Sequence, residues 1–179
     1  MKAKKIAVTG LTVAMSMAML AGCGPKSEAT TTTTVTIAFD TDLSSMDNSI
    51  ATDGSSFSMQ MMGLSGLLAL DESGTPVPDL AESYDVSDDG LTYTFHLKKD
   101  AQWSNGTPIT AHDVVYSWHR LASPALASEY AFILDTMHVV NASEVIAGTK
   151  DAKELGVKAV DDNTVEVSLT LPCSFLPSL

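Results

Sequence analysis

Serine, histidine and aspartate are plentiful in this chain, so the groups of a nucleophilic hydrolase are all present. Their spacing does not assemble one. No serine sits in a G-x-S-x-G elbow, and Gly63-Leu64-Ser65-Gly66 lacks that spacing. His112 and His119 stand two helical turns apart, but no HExxH or comparable ligand spacing surrounds them. They read as hydrogen-bonding surface or boundary residues. Asp85, Ser87, Asp89 and Gly90 begin like a calcium loop. The twelfth position is His96, where calcium needs a bidentate Glu, so calcium binding is rejected. There is no GxxxxGK[ST] phosphate loop, and Asn105-Gly106-Thr107 reads more simply as a turn than as a glycosylation sequon. Two aromatic residues could meet a ligand. Tyr130, in Ala127-Ser128-Glu129-Tyr130-Ala131, joins an apolar plate to a polar tip and suits ligand contact and core packing equally. Trp103, ahead of Ser104-Asn105-Gly106, reads as packing over a hairpin.

The elements that must position such groups begin after a leader. Lys2, Lys4 and Lys5 precede an apolar run from Ile6 to Leu20, the n-region and h-region of a secretory signal. The run falls short of the ~20 apolar residues of a membrane span. Leu20-Ala21-Gly22-Cys23 resembles the bacterial lipobox, in which the cysteine is lipidated and becomes the mature N-terminus. The alternative is an ordinary cleavage site beside an incidental cysteine. Residues 1–22 are thus read as signal, and 23–34 as a lipidated Cys23 followed by a flexible polar tether (GPKSEATTTTT).

Removing residues 1–22 takes away three lysines and no acids, moving the formal charge from −12 to −15. So acidic a chain does not favour nucleic acid or anionic lipid, which need positive charge. With Cys23 lipidated, Cys173 has no partner, which excludes a disulfide framework. The chain beyond the tether is long enough for one domain with a real core.

Val35, Ile37 and Phe39 alternate with polar residues and predict a strand. Asp40–Ser56 reads as a long surface loop. A helix to about Gly63 and a short strand over Leu67–Leu70 come next, with Met59, Met61 and Met62 expected in the core rather than in an adaptable groove. Tyr84–Val86 and Leu91–Leu97 alternate on either side of Asp89-Gly90 and predict a hairpin. Thr110 and Asp113 predict a helix cap, with Thr110 accepting from an orphan amide. Val114, Val115, Trp118, Leu121 and Ala122 form the apolar stripe of that helix, and Pro124 ends it. Short helices are expected within Ala125–Asp135 and Ala142–Ala147. A second hairpin spans Val157–Leu169, turning at Asp161-Asp162-Asn163, with Val165, Val167 and Leu169 facing inward.

Three stretches are highly specific in combination. They are Val77–Tyr84 with Asp89–Leu97, Trp103–Trp118, and Leu155–Val167. Over nearly all of residues 35–172 they resemble the N-terminal third of oligopeptide-binding lipoproteins, extracellular solute-binding protein family 5, the substrate-binding components of peptide ABC importers.

The resemblance implies a mixed α/β, periplasmic-binding-protein-like class II fold, present here incomplete, with one lobe mostly represented. Residues 35–65 would start the first lobe and carry a cleft loop, and 66–179 would form an α/β subdomain. It implies a monomeric, non-enzymatic binder without cofactor or metal. Its lobes close over an oligopeptide held through backbone hydrogen bonds. It then docks on permease subunits while anchored by lipid to the outer face of the bacterial cytoplasmic membrane. By position, Tyr130 matches a peptide-contacting tyrosine of the family, and Thr52-Asp53-Gly54 matches a segment lining the cleft. Family members are much longer, so the chain is read as an N-terminal fragment. Its final stretch also departs from the family, with Cys173 after Pro172 where a Val/Thr-like residue is usual. Other cargo (a dipeptide, a metal chelate, a sugar), a signalling-peptide receptor or an adhesin are the alternatives on the same fold.

Overall fold

The computed structural model describes residues 35–178. The expected signal, Cys23 and the expected tether lie outside the described residues. From Phe39 onward the chain forms one compact unit.

Its centre is a four-stranded antiparallel sheet of two hairpins, β3 (Ala81–Val86) with β4 (Thr92–Leu97), and β5 (Val157–Asp161) with β6 (Thr164–Ser168). The spatial order is β3-β4-β6-β5, so the hairpins join through β4 and β6, with Tyr93 opposite Val167 and Phe95 opposite Val165. Turn chemistry fixes both hairpins. Gly90 adopts φ +69°, where a side chain would be strained, and the Asp89 carboxylate accepts from Ser87 Oγ (2.6 Å) and the Leu91 amide (3.0 Å). In the other turn Asp161 accepts from the Asn163 amide at 2.8 Å. That turn also holds its surroundings: the Asn163 carbonyl accepts from Leu97 and the Asp162 carbonyl from Ala111.

Strict alternation divides the faces. Tyr93, Phe95, Leu97, Val165, Val167 and Leu169 are buried. Thr92, Thr94, His96, Thr164, Glu166 and Ser168 point the other way. On that polar face Lys158 pairs with Glu166 (2.7 Å) and His96 with Asp85 (2.8 Å).

The long helix, labelled α2 (Ala111–Ala122), covers the apolar face together with α3 (Phe132–Thr136) and α4 (Ala142–Ile146). Val114, Val115, Trp118 and Leu121 pack on the core half-buried, and Ala111 and Ala122 are fully buried. The cap is the expected capping box: the Thr110 side chain faces the Asp113 amide, and the Asp113 carboxylate accepts the Thr110 amide (2.7 Å) and hydroxyl (2.9 Å). Asp113 is thus the acceptor that holds the first turn. Ser123 is extended and Pro124 succeeds it, as the missing amide of proline requires.

Ahead of the sheet lie α1 (Gly54–Met61) and a two-stranded ribbon, β1 (Leu68–Leu70) with β2 (Pro76–Pro78). A cavity of about 320 Å³ separates the ribbon, α2 and the C-terminal Leu176, with Phe95, Trp118 and Met137 in its wall.

Three expectations are corrected. Val35–Phe39 joins no ladder among the described residues, and Val35 and Ile37 are exposed. Alternation alone makes no strand where no partner supplies hydrogen bonds. Met59, Met61 and Met62 are exposed, Met61 at 82 %. The buried face of α1 is its polar one, Ser55, Ser56 and Gln60. Trp103 is likewise exposed, because its turn closes on itself: Trp103 N–H reaches Thr107 O at 2.9 Å, and Asn105 accepts from Thr107.

Candidate functional site

The loop before α1 is built from short hydroxyl side chains that replace a hydrophobic core with hydrogen bonds. Asp53 caps α1 by accepting from the Ser56 amide (2.8 Å), and its other oxygen accepts from Ser44 Oγ. Those bonds, the Ser44 hydroxyl first and then Ser56, hold the Asp53 carboxyl well below the usual carboxylate range. Ser56, fully buried, accepts from the Ser44 amide at 3.0 Å, and Thr41 and Ser55 share a hydroxyl contact at 2.8 Å. Gln60 reaches back to the Ser45 carbonyl at 3.3 Å. With that scaffold inward, Thr52 and Gly54 are left exposed at the helix N-terminus, and a Cβ on Gly54 would meet open space.

Arg120, the only arginine in the sequence, ties this loop to α2. Its guanidinium donates two parallel bonds to Asp47, 2.7 and 2.5 Å. Asp47 in turn anchors a tight bend: its carboxylate takes the Ser49 amide and its carbonyl the Ile50 and Ala51 amides. The Arg120 hydrogen bonds lower the Asp47 carboxyl, and the pair raises Arg120.

Tyr130 comes to the same place from the other direction. After Pro124 the chain runs through Ala127 at φ +51° and a turn in which Ser128 accepts the Tyr130 amide (3.3 Å). The Tyr130 ring then meets Phe57, in the first turn of α1, edge-on at a centroid distance of 5.5 Å and 80°. It also stacks with Phe132 at 6.0 Å and 29°. The structure thus gathers what the sequence separates: Thr52, Asp53 and Gly54 open the helix whose Phe57 touches Tyr130. Phe57, Phe132 and the Arg120–Asp47 clamp were not singled out by sequence reasoning. The lone arginine was the one available signal.

The histidines serve elsewhere. His112 lies 3.6 Å from Asp162 on the surface. His119 has a buried Nε2 with no partner among the described residues, and burial pushes its pKa down.

Residues 75–179 match the description of bacterial extracellular solute-binding proteins, family 5 middle. The chain is 50 % identical over 114 residues to the periplasmic oligopeptide-binding protein OppA of Salmonella typhimurium, covering 64 % of this chain and 21 % of that protein. It is 37 % identical along its whole length to a dipeptide-binding protein of Lactococcus lactis subsp. cremoris, of which it covers 32 %. Among solved structures it superimposes on Listeria monocytogenes OppA bound to peptide, with a TM-score of 0.71 and 41 % identity over 74 % of this chain and 26 % of that one. The fold and these matches define an extracellular solute-binding protein. The chain belongs to family 5 of the bacterial extracellular solute-binding proteins. It spans between a fifth and a third of the length of these curated relatives.

Proposed function

We propose that this chain is the N-terminal part of an oligopeptide-binding component of an ABC importer. Thr52, Asp53, Gly54 and Tyr130 form one wall of its peptide cleft. The observation that carries the reading is the packing of Tyr130 on Phe57, which sets a tyrosine beside the exposed start of α1. The ordinary conformation and open surroundings of Gly54 leave its backbone accessible to an extended ligand, and Asp53, held ionised, adds negative charge there. The Leu20-Ala21-Gly22-Cys23 motif supports lipidation at Cys23, with residues 1–22 as signal and 23–34 as tether. Residues 35–65 then begin the first lobe and 66–179 form its α/β subdomain. The lipid anchor holds the protein on the outer face of the cytoplasmic membrane, where it delivers peptide to permease subunits.

A wall on one side leaves a ligand open to water, so the 179-residue chain should bind peptides only in the millimolar range. A chimera continuing this chain with the remaining C-terminal part of the Lactococcus dipeptide-binding protein should bind at least about a hundredfold tighter by calorimetry. Tyr130→Ala in the chimera should weaken binding about tenfold, the scale of a lost aromatic contact. Peptide affinity unaffected by Tyr130→Ala would refute the site. For the anchor, wild-type fatty-acid labelling in a Cys23→Ala chain would refute lipidation.

A further inference from the structure

Core packing does not explain Phe132. It opens α3, it is 57 % exposed, and its one aromatic partner among the described residues is Tyr130. It stacks on Tyr130, which in turn meets the half-buried Phe57 edge-on, so the three rings form one aromatic cluster with Phe132 at its water-facing end. The ring steps are 5.5 and 6.0 Å. Side chains on one face of an extended peptide repeat every two residues, about 6.6 Å. A strand-like ligand that runs along the Tyr130–Phe132 direction with one residue at Tyr130 brings its next same-face residue to Phe132.

We propose that Phe132 is a specificity-determining residue, selecting peptides with an aromatic or large aliphatic side chain two residues from the one that contacts Tyr130. The inference rests on the peptide-binding reading and adds a preference to it. The Phe132 ring, stacked on Tyr130, supplies an apolar plate whose orientation is set before the ligand arrives, so little ordering entropy opposes contact. A plate of this kind gives nothing to an acidic or basic side chain in exchange for its lost water.

The test uses the whole 179-residue chain with labelled phenylalanine and tyrosine rings, titrated by NMR into the millimolar range. The peptides are Ala-Ala-Ala, Ala-Ala-Glu, Phe-Ala-Ala, Ala-Phe-Ala and Ala-Ala-Phe. The best phenylalanine peptide should bind about five- to tenfold tighter than Ala-Ala-Ala and shift the Phe132 ring. Phe132→Ala should bring that ratio to about one, and Phe132→Tyr should keep it. A merely structural Phe132 would leave the ratio unchanged in Phe132→Ala. Peptides that shift Tyr130 with a ratio indifferent to residue 132 overturn this inference and leave the peptide reading standing. Peptides that shift neither ring nor the Thr52–Gly54 amides overturn both.

Discussion

Gly156 is where a single methyl group should do the most damage. It precedes β5, in a crossing where three backbone hydrogen bonds meet: Gly156 N–H to Val140 O (2.8 Å), Val140 N–H to Ser168 O (2.9 Å), and Ser168 N–H to Gly156 O (2.7 Å). A Cβ there would lie 2.7 Å from the Ser168 carbonyl oxygen, 2.8 Å from Val140 Cβ and 3.0 Å from Val140 N. Backbone cannot rotate away, so the strands must part by several tenths of an ångström. Overpacking of this kind costs about 1–3 kcal/mol. Stretching the adjoining hydrogen bonds adds about 1 kcal/mol. Gly156→Ala should therefore cost roughly 2–4 kcal/mol. Urea unfolding monitored by Trp fluorescence and circular dichroism reads this as a lower midpoint at unchanged slope. The control is Gly54→Ala, in the first turn of α1 with open space around it, which should hold or raise the midpoint. Equal midpoints for Gly156→Ala and wild type would show that the crossing yields and that the close-approach argument is wrong.

Other contacts lead to other outcomes. Trp118→Ala should cost about 2–3 kcal/mol in the same assay, less than a fully buried indole, since the side chain is half-buried and borders an existing cavity. Asp113→Ala removes the acceptor of the α2 cap and should cost about 1 kcal/mol, with faster amide exchange confined to the first turn. Asp47 has its pKa depressed on folding by the Arg120 hydrogen bonds. Its contribution is complete above its unfolded value, about 4, and is lost as pH falls through the lower folded value. The urea midpoint should thus fall below about pH 4, and Asp47→Asn should flatten that fall; identical pH profiles for the two proteins would contradict it.

The elements legible in the sequence are those whose causes are local. Both hairpins arise from alternation around Asp89-Gly90 and Asp161-Asp162-Asn163, and α2 from its stripe, cap and Pro124. What failed depended on partners far away. The alternation of Val35–Phe39 has no neighbouring ladder among the described residues. The methionines of α1 were assigned to the core because apolar residues usually are, yet Ser55, Ser56 and Gln60 turn inward to bond the preceding loop. The candidate site was legible only in part. The resemblance pointed to Thr52, Asp53, Gly54 and Tyr130, but no local pattern reveals that Phe57 would meet a ring 73 positions later, or that Arg120 would close on Asp47.

The strand order has a kinetic consequence. β4 is central: one neighbour, β3, lies across the short 87–91 turn, while the other, β6, arrives only after residues 98–163. The β3–β4 hairpin can close in microseconds. Joining β6 must first close a loop roughly ten times longer, an entropic handicap of about 2 kcal/mol relative to the hairpin. Until then Tyr93 and Phe95 stand in water on a two-stranded ribbon with a free edge, a species prone to pair with its copies. During synthesis from the N-terminus this state persists for the seconds needed to make those residues, at ~5–20 per second. The second hairpin, Val157–Ser168, is therefore the event that closes the sheet, and a chain cut before it should aggregate rather than remain as a smaller folded piece.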